Sequence, residues 1–340
     1  METFISSLEA KGLPFVLFRH PKEEHIHCYY QKDKQVHRTS TFEEDGFVFN
    51  SFAGETSSLY IPATNQKAIV FQAPRKRTSS PPALPLNGKV KFEESVTNAV
   101  KEINATKLEK VVLSAPFSVP NTRDAVSIFT SLEHKYPNAF VYYWSHSETG
   151  NWLGATPERF VFLDEKQMDT MALAGTLPAG ATQDEWTEKE YHEQELVTQS
   201  IINALKKVVP LGTIKVGERQ TVPAGRLQHL QTPIRVDAHD ILLRDVIKVL
   251  HPTPAVGGLP LVKAQAFIRE YEGYDREFYA GFLGVFKQNK SAKLFVNLRC
   301  GKVTKNSIQL FAGAGITNSS DPGKEWNEIC RKAMTFLSVI

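Results

Sequence analysis

Apolar and polar positions alternate along the first 72 residues, and that period of two predicts short strands at PFVLFR, HIHCYY, GFVFNSF and KAIVFQA with polar turns between them. The alternation stops in APRKRTSSPPALPLNGK, where proline, serine and glycine take over. This predicts a loop over residues 73–88 between an N-terminal sheet region (1–72) and the body of the chain (89–340). Over residues 90–107 the period becomes that of a helix, with Val96, Val100 and Ile103 on one side. KVVLS from Lys110 then reads as a buried strand and RDAVSIFTSLEHKYP as a second helix. Two strands follow, NAFVYYWSH and NWLGATPERFVFLD; residues 154–157 interrupt the second as a bulge, beyond which Glu158 and Arg159 leave the ladder. MALAGT is an apolar strand ending in a turn, and DEWTEKEYHEQELVTQSIINALKKV a helix with an apolar stripe through Tyr191, Leu196, Ile201 and Leu205. Further on, AGRLQHLQTPIRV is read as a strand carrying His229, HDILLRDVIKVL as a helix stopped by HPTPAVGGLP, and KAQAFIREYE as a helix. YAGFLGVFK and KLFVNLRCGKV are expected to form a hairpin with Arg299 inside its second strand. Last come the strand LFAGAGI and the helix of SSDPGKEWNEICRK.

Composition narrows the class of protein. The chain has 340 residues and a formal net charge of +3, too small to suggest a nucleic-acid surface; the one dense basic run is residues 75–77, in the loop. Three cysteines, Cys28, Cys300 and Cys330, cannot all pair, which points to a reducing compartment. The N-terminus lacks a basic segment followed by an apolar run, and no stretch approaches eighteen apolar residues, so a cytoplasmic protein with no membrane partner is expected.

The candidate chemistry lies mostly in two acidic helices. Glu190 and Glu193 are three residues apart on one, Glu325 and Glu328 on the other, so each helix presents two carboxylates on one face. Facing one another they can hold a divalent ion, and oxygen-only ligands favour Mg²⁺. Solvated helix faces, with Glu328 and Lys332 as a surface pair, account for the same residues. Close by in sequence, Gly313 and Gly315 offer backbone N–H groups and Lys332 a cation for an anionic ligand. Arg299, in a strand otherwise apolar, needs an anion partner. Lys110 at a strand entrance belongs by default in water, and His25 and His27 form an H-x-H strand with no third metal ligand in view.

Taken in order, KVVLS, GATPERF, ALAGT, KEYHEQ, HPTPAVGG, YAGFLG, NLRCG and AGAGI…SDPGKEWNEICRK resemble the chorismate-binding enzymes, the isochorismate, salicylate, anthranilate and aminodeoxychorismate synthases, over roughly residues 89–340. A monomer is expected; separately, the resemblance implies one α+β domain of large antiparallel sheets packed together with helices outside. It also implies a Mg²⁺ site made by Glu190, Glu193, Glu325 and Glu328. Lys110 resembles the general base of the water-adding members, and Leu173 the isochorismate-forming pattern. The implied reaction is therefore conversion of chorismate to isochorismate, with Glu158 as general acid. Leu173, Gly175, Thr176, His251, Tyr279, Arg299, Gly313, Gly315 and Lys332 would form the substrate site. In those roles Lys110 must be neutral to take a proton from water and Glu158 protonated to give one.

The chain departs from the family pattern where Ala115-Pro116 follow Leu113-Ser114 without the usual arginine. It departs again in the turn Leu177-Pro178-Ala179-Gly180, and at Gln194, where most members have histidine. Salicylate synthase shares the lysine and is the alternative activity; a catalytically silent chorismate-fold binding protein is the alternative of another class.

Overall fold

Two antiparallel sheets carry the chain. The computed structural model describes residues 2–54, 56–69, 82–210, 213–224, 227–237 and 240–340. The basic run at 75–77 and most of the expected 73–88 loop lie outside the described residues. One sheet has nine strands in the spatial order Gly258–Leu259, Lys110–Pro120, Ser307–Ile316, Cys300–Val303, Gly150–Thr156, Phe140–His146, Phe15–Arg19, Ile26–Tyr30 and Gln66–Ile69. The other has ten: Ile214–Val216, Leu227–Val236, Met168–Pro178, Arg159–Leu163, Ser291–Val296, Phe282–Lys287, Asp45–Asn50, Ser58–Pro62 and Arg38–Thr39, with Gln220–Ala224 also paired to Leu227–Val236. The N-terminal strands extend both sheets, Phe15–Arg19 beside Phe140–His146 and Asp45–Asn50 beside Phe282–Lys287.

Aromatic side chains from the two sheets interlock. Phe18 meets Phe47 with ring centroids 5.0 Å apart, Trp144 meets Phe49 at 5.0 Å, and Phe140 stacks on Phe295 at 4.2 Å. All six are buried. Burying each such ring contributes on the order of 2–3 kcal/mol, and the offset and tilted contacts add to that.

Helices cover the outside. Glu188–Leu205 packs on the Met168–Pro178 strand, and Pro322–Leu337 on Ser307–Ile316 and against the helix Lys89–Ala105. Thr187 starts the first of these through a reciprocal capping box with Glu190; Asp321 starts the last, its side chain accepting from the N–H of Lys324, with Pro322 in the first turn. Several elements were not expected from the pattern, among them the helix Glu2–Lys11, whose apolar side is only Phe4, Ile5 and Leu8, and the strands Arg38–Thr39, Ser58–Pro62, Ile214–Val216 and Gln220–Ala224. Among the described residues no helix is long and apolar enough to cross a membrane.

Two corrections concern the segments that position the site. NWLGATPERFVFLD is not one bulged strand: Gly150–Thr156 belongs to the nine-stranded sheet and Arg159–Leu163 to the ten-stranded one. KLFVNLRCGKV likewise divides into Ser291–Val296 and Cys300–Val303, again in different sheets, so Arg299 lies outside any strand. The divided segments are neighbours on both sides of the break, Gly150–Thr156 with Cys300–Val303 and Arg159–Leu163 with Ser291–Val296. A paired ribbon therefore leaves one sheet and enters the other, with Glu158 and Arg299 at the passage. Hydrogen bonds clamp it: Ala155 N–H to Arg299 O (3.2 Å), Val296 N–H to Glu158 O (3.0 Å) and the Thr156 hydroxyl to Val296 O (2.7 Å). Arg299 takes a positive φ of 49°, which the clamp holds in place.

Candidate active site

The ribbon crosses beside a cavity, and Glu158 and Arg299 both line it. Leu173, Gly175 and Thr176 enter from the end of the Met168–Pro178 strand, Glu193 from the helix above it, Tyr279 from the loop before Phe282–Lys287, and Gly313, Gly315 and Lys332 from the C-terminal strand and helix. Ten of the expected site residues thus share one cavity.

The two glycines suit a site where backbone must be reached. In the ladder Gly313 stands opposite Ser114 and Gly315 opposite Val112. The N–H of Ser114 goes to Glu272 (2.7 Å) and that of Val112 to Gly257 O (3.1 Å), so neither pair is hydrogen-bonded across. The N–H groups of both glycines consequently point off the far edge, where Cys300–Val303 has already turned away. A Cβ on Gly315 would sit 2.1 Å from Glu193 Oε1 and 3.0 Å from Lys110 Cε, so only glycine lets those groups approach. Gly175 has φ +72° and faces the Glu190 side chain, a second position that requires glycine.

Lys110 does not sit in water. It is 0 % exposed, and its Nζ lies 3.0 Å from Glu193 Oε1. That contact is ionic without hydrogen-bond alignment, which leaves the ammonium protons free of any hydrogen-bond acceptor. Glu158 is 5 % exposed, and burial pushes its carboxyl up from 4.5 to about 7, although Lys110, Lys332 and Arg299 all pull the other way.

Arg299 donates through Nη1 to Thr335 Oγ1 (3.0 Å) and through Nη2 to His229 Nε2 (3.1 Å). His229 Nδ1 lies 2.8 Å from Gly175 O, which only accepts, so Nδ1 carries the proton and Nε2 the lone pair. Burial first, then Arg299 and Lys332, push His229 down to about 3, in agreement with a neutral ring. His229 thereby joins the strand end at Gly175 to the crossover arginine. It lines the cavity and was not foreseen as a site residue. His251, which was, does not line it: its ring packs edge-on to Phe160 and Phe282 and its Nε2 meets Ser51 O at 3.1 Å.

Four glutamates stand in four situations. Glu190 accepts the N–H and hydroxyl of Thr187 (2.9 and 2.5 Å) in the capping box. Glu193 faces Lys110. Glu328 pairs with Lys332 (2.7 Å), which also donates to Gly313 O (2.8 Å). Burial would raise the Glu328 carboxyl, but the ion pair, with Lys189 nearby, holds it below its usual range. Glu325, 1 % exposed, accepts from Lys189 Nζ at 2.5 Å, while its other oxygen is buried with no partner. Its carboxyl is raised, by burial and then by Glu328. Among the described residues no three His, Cys, Asp or Glu side chains already converge as a metal cluster. The donor set nonetheless fits a hard cation: all oxygen, on facing helices, with one buried carboxylate oxygen unused.

A buried scaffold holds the strand that carries Lys110. Glu272 accepts from the Ser114 N–H and hydroxyl, and Arg276 bonds Glu272 (2.8 Å through Nε), Val112 O (2.6 Å) and Val256 O (2.9 Å). Ala115 and Pro116, where the family arginine is missing, line a separate cavity beside Glu272 and Tyr274. Gln194 is fully used, donating to Thr198 (3.0 Å) and Thr232 (2.7 Å) and so tying its helix to the Leu227–Val236 strand. Away from the site, His27 contacts Glu23 at 3.1 Å and stacks on Phe18.

The chain is similar to several known proteins. The chain is 31% identical to the isochorismate synthase MenF of Haemophilus influenzae over 76% of this chain and 64% of that protein. It is 33% identical to the salicylate biosynthesis isochorismate synthase of Pseudomonas aeruginosa over 81% and 61%, and 30% identical to the isochorismate synthase EntC of Escherichia coli over 84% and 78%. The match thus spans less than two thirds of the first two relatives. Among solved structures, a putative 2,3-dihydroxybenzoate-specific isochorismate synthase, DhbC from Bacillus anthracis, superposes with a TM-score of 0.81 at 22% identity, covering 98% of both chains. Anthranilate synthase component I from Streptococcus pneumoniae superposes with a TM-score of 0.72 at 18% identity, covering 95% of this chain and 90% of that one. At such identities these structures establish the fold. A family model described as chorismate binding enzyme matches residues 54–340, and this chain belongs to that family.

Proposed function

We propose that this chain is an isochorismate synthase, acting as a cytoplasmic monomer with Mg²⁺: water adds at C2 of chorismate and the 4-hydroxyl departs. Relatives named as isochorismate synthases support the reaction. Their names also cover salicylate and 2,3-dihydroxybenzoate, and the product here is assigned to menaquinone or catechol-siderophore synthesis.

Chorismate carries two carboxylates, and the cavity offers cations and N–H donors to match. Arg299, Tyr279, Lys332 and the N–H groups of Gly313 and Gly315 hold the enolpyruvyl carboxylate, the arginine being preset by His229 and Thr335. Bound Mg²⁺, held by Glu193 and Glu328 with Glu190 and Glu325 directly or through water, would neutralise the ring carboxylate and draw electrons from the ring. Lys110, once Glu193 is no longer its partner, takes a proton from the incoming water, and Glu158 gives its proton to the departing hydroxyl. The observation that carries this reading is Glu158, a buried carboxyl in the cavity raised to about 7 and so able to hold a proton near neutrality.

Incubating the purified chain with chorismate, with and without Mg²⁺, and identifying the product by chromatography tests it. Isochorismate that forms only with Mg²⁺ is the expected result. Accumulating salicylate would move the assignment to salicylate synthase, and tight binding without product would make the chain a silent binding protein.

A further inference from the structure

Each of three glutamates in the proposed metal site has a lysine against it: Glu193 has Lys110, Glu328 has Lys332 and Glu325 has Lys189. Two of those lysines have duties in the cavity. Lys332 lines it and Lys110 stands behind Gly315; Lys189 does neither. It sits on the helix of Glu190 and Glu193 and reaches across to Glu325 on the other acidic helix, so the protein's own cation joins the two helices that the divalent ion would join. Glu325 is arranged for more than one cation: one oxygen takes Lys189 and the other is buried with nothing bonded to it.

Charge supplies the consequence. Three carboxylates facing three ammonium groups cancel, which leaves the single charge of Glu190, already engaged at its helix start, to attract a metal. A dianionic substrate would tip that balance. Building on the Mg²⁺ reading above, we infer that Lys189 is a resident counter-cation that competes with the divalent ion for Glu325, keeping the metal weakly bound until substrate arrives. It acts through Glu325 and is a positioning residue.

Mg²⁺ titration calorimetry without chorismate, with thermal melts with and without Mg²⁺, on the parent, Lys189→Gln and Lys189→Arg tests the inference at pH 8. Lys189→Gln is expected to melt lower without metal, because Glu325 loses its counter-ion, yet to bind Mg²⁺ about tenfold tighter and gain more from it in the melt. Lys189→Arg is expected to bind more weakly than the parent, since the forked guanidinium covers both oxygens of Glu325. A purely structural lysine would lower the melting temperature without tightening metal binding. Unchanged or weaker Mg²⁺ affinity in a cooperatively folded Lys189→Gln overturns the inference. If that variant does not fold, the arginine variant decides, and binding equal to or tighter than the parent's overturns it. A parent that binds no Mg²⁺ even with chorismate present sinks the metal reading, and this inference with it.

Discussion

The two ends of the sandwich are packed with opposite materials. Around Phe18 and Phe47, from the N-terminal strands, the space between the sheets is filled with aromatic rings, whereas the region about the ribbon crossing holds Lys110, Glu158, Glu193 and Arg299, all buried. Stacked rings stabilise without direction; buried charges cost solvation and are kept where they meet one another or a ligand. The aromatic end should therefore govern stability and the charged end turnover, so mutations at the two ends should separate cleanly.

The largest expected effect is at the charged end. Lys110→Ala and Glu158→Gln should each lower kcat by about a hundred- to ten-thousandfold, the range for losing a general base or acid, with cooperative melting retained. Steady-state kinetics beside a melting curve reads both. Next comes the aromatic end, where Phe47→Ala should cost about 3–5 kcal/mol in urea unfolding while kcat of the surviving folded fraction stays near the parent's. An equal loss of turnover there would erase the distinction between the ends.

Glu158 links the two properties through pH. Below 4.5 its carboxyl is neutral in both the folded and unfolded chain, and burial costs nothing extra. From 4.5 up to about 7 the unfolded chain gives up the proton while the folded chain keeps it, so stability falls with rising pH, by about 3 kcal/mol in all. Urea unfolding at pH 5 and pH 8 should show that loss as a difference between the parent and Glu158→Gln, because buried histidines such as His229 and His251 gain stability over the same range in both. The smallest effect is expected at His251: removing its bond to Ser51 O in His251→Leu should cost about 1 kcal/mol and leave KM for chorismate unchanged, since the ring lies off the cavity.

Much of this was legible in the sequence, for physical reasons that vary by element. Long amphipathic segments such as Glu188–Leu205 and strands such as Phe15–Arg19 follow from periodicity, and eight ordered motifs pointed to the family. The helix Glu2–Lys11 has too little apolar surface to declare itself. The crossing ribbon was hidden because a strand that changes sheets keeps the same period of two, and proline-containing GATPERF reads equally as a bulge. Arg299 had announced itself by charge in apolar surroundings; His229 had not, because a histidine on a strand carries no sign of what it touches. Lys189 looked like any lysine beside a glutamate, and only the packing of the two acidic helices gave it a partner 136 positions away.

The central claim is that Glu158 in the cavity and Lys110 behind Gly315 at its wall together put water on one carbon of chorismate while a hydroxyl leaves another. Turnover in ¹⁸O-labelled water with mass analysis of the product tests that claim most directly. One labelled oxygen in each isochorismate molecule, with formation abolished in Glu158→Gln, is the result expected. Unlabelled isochorismate, or full turnover without Glu158, would contradict it.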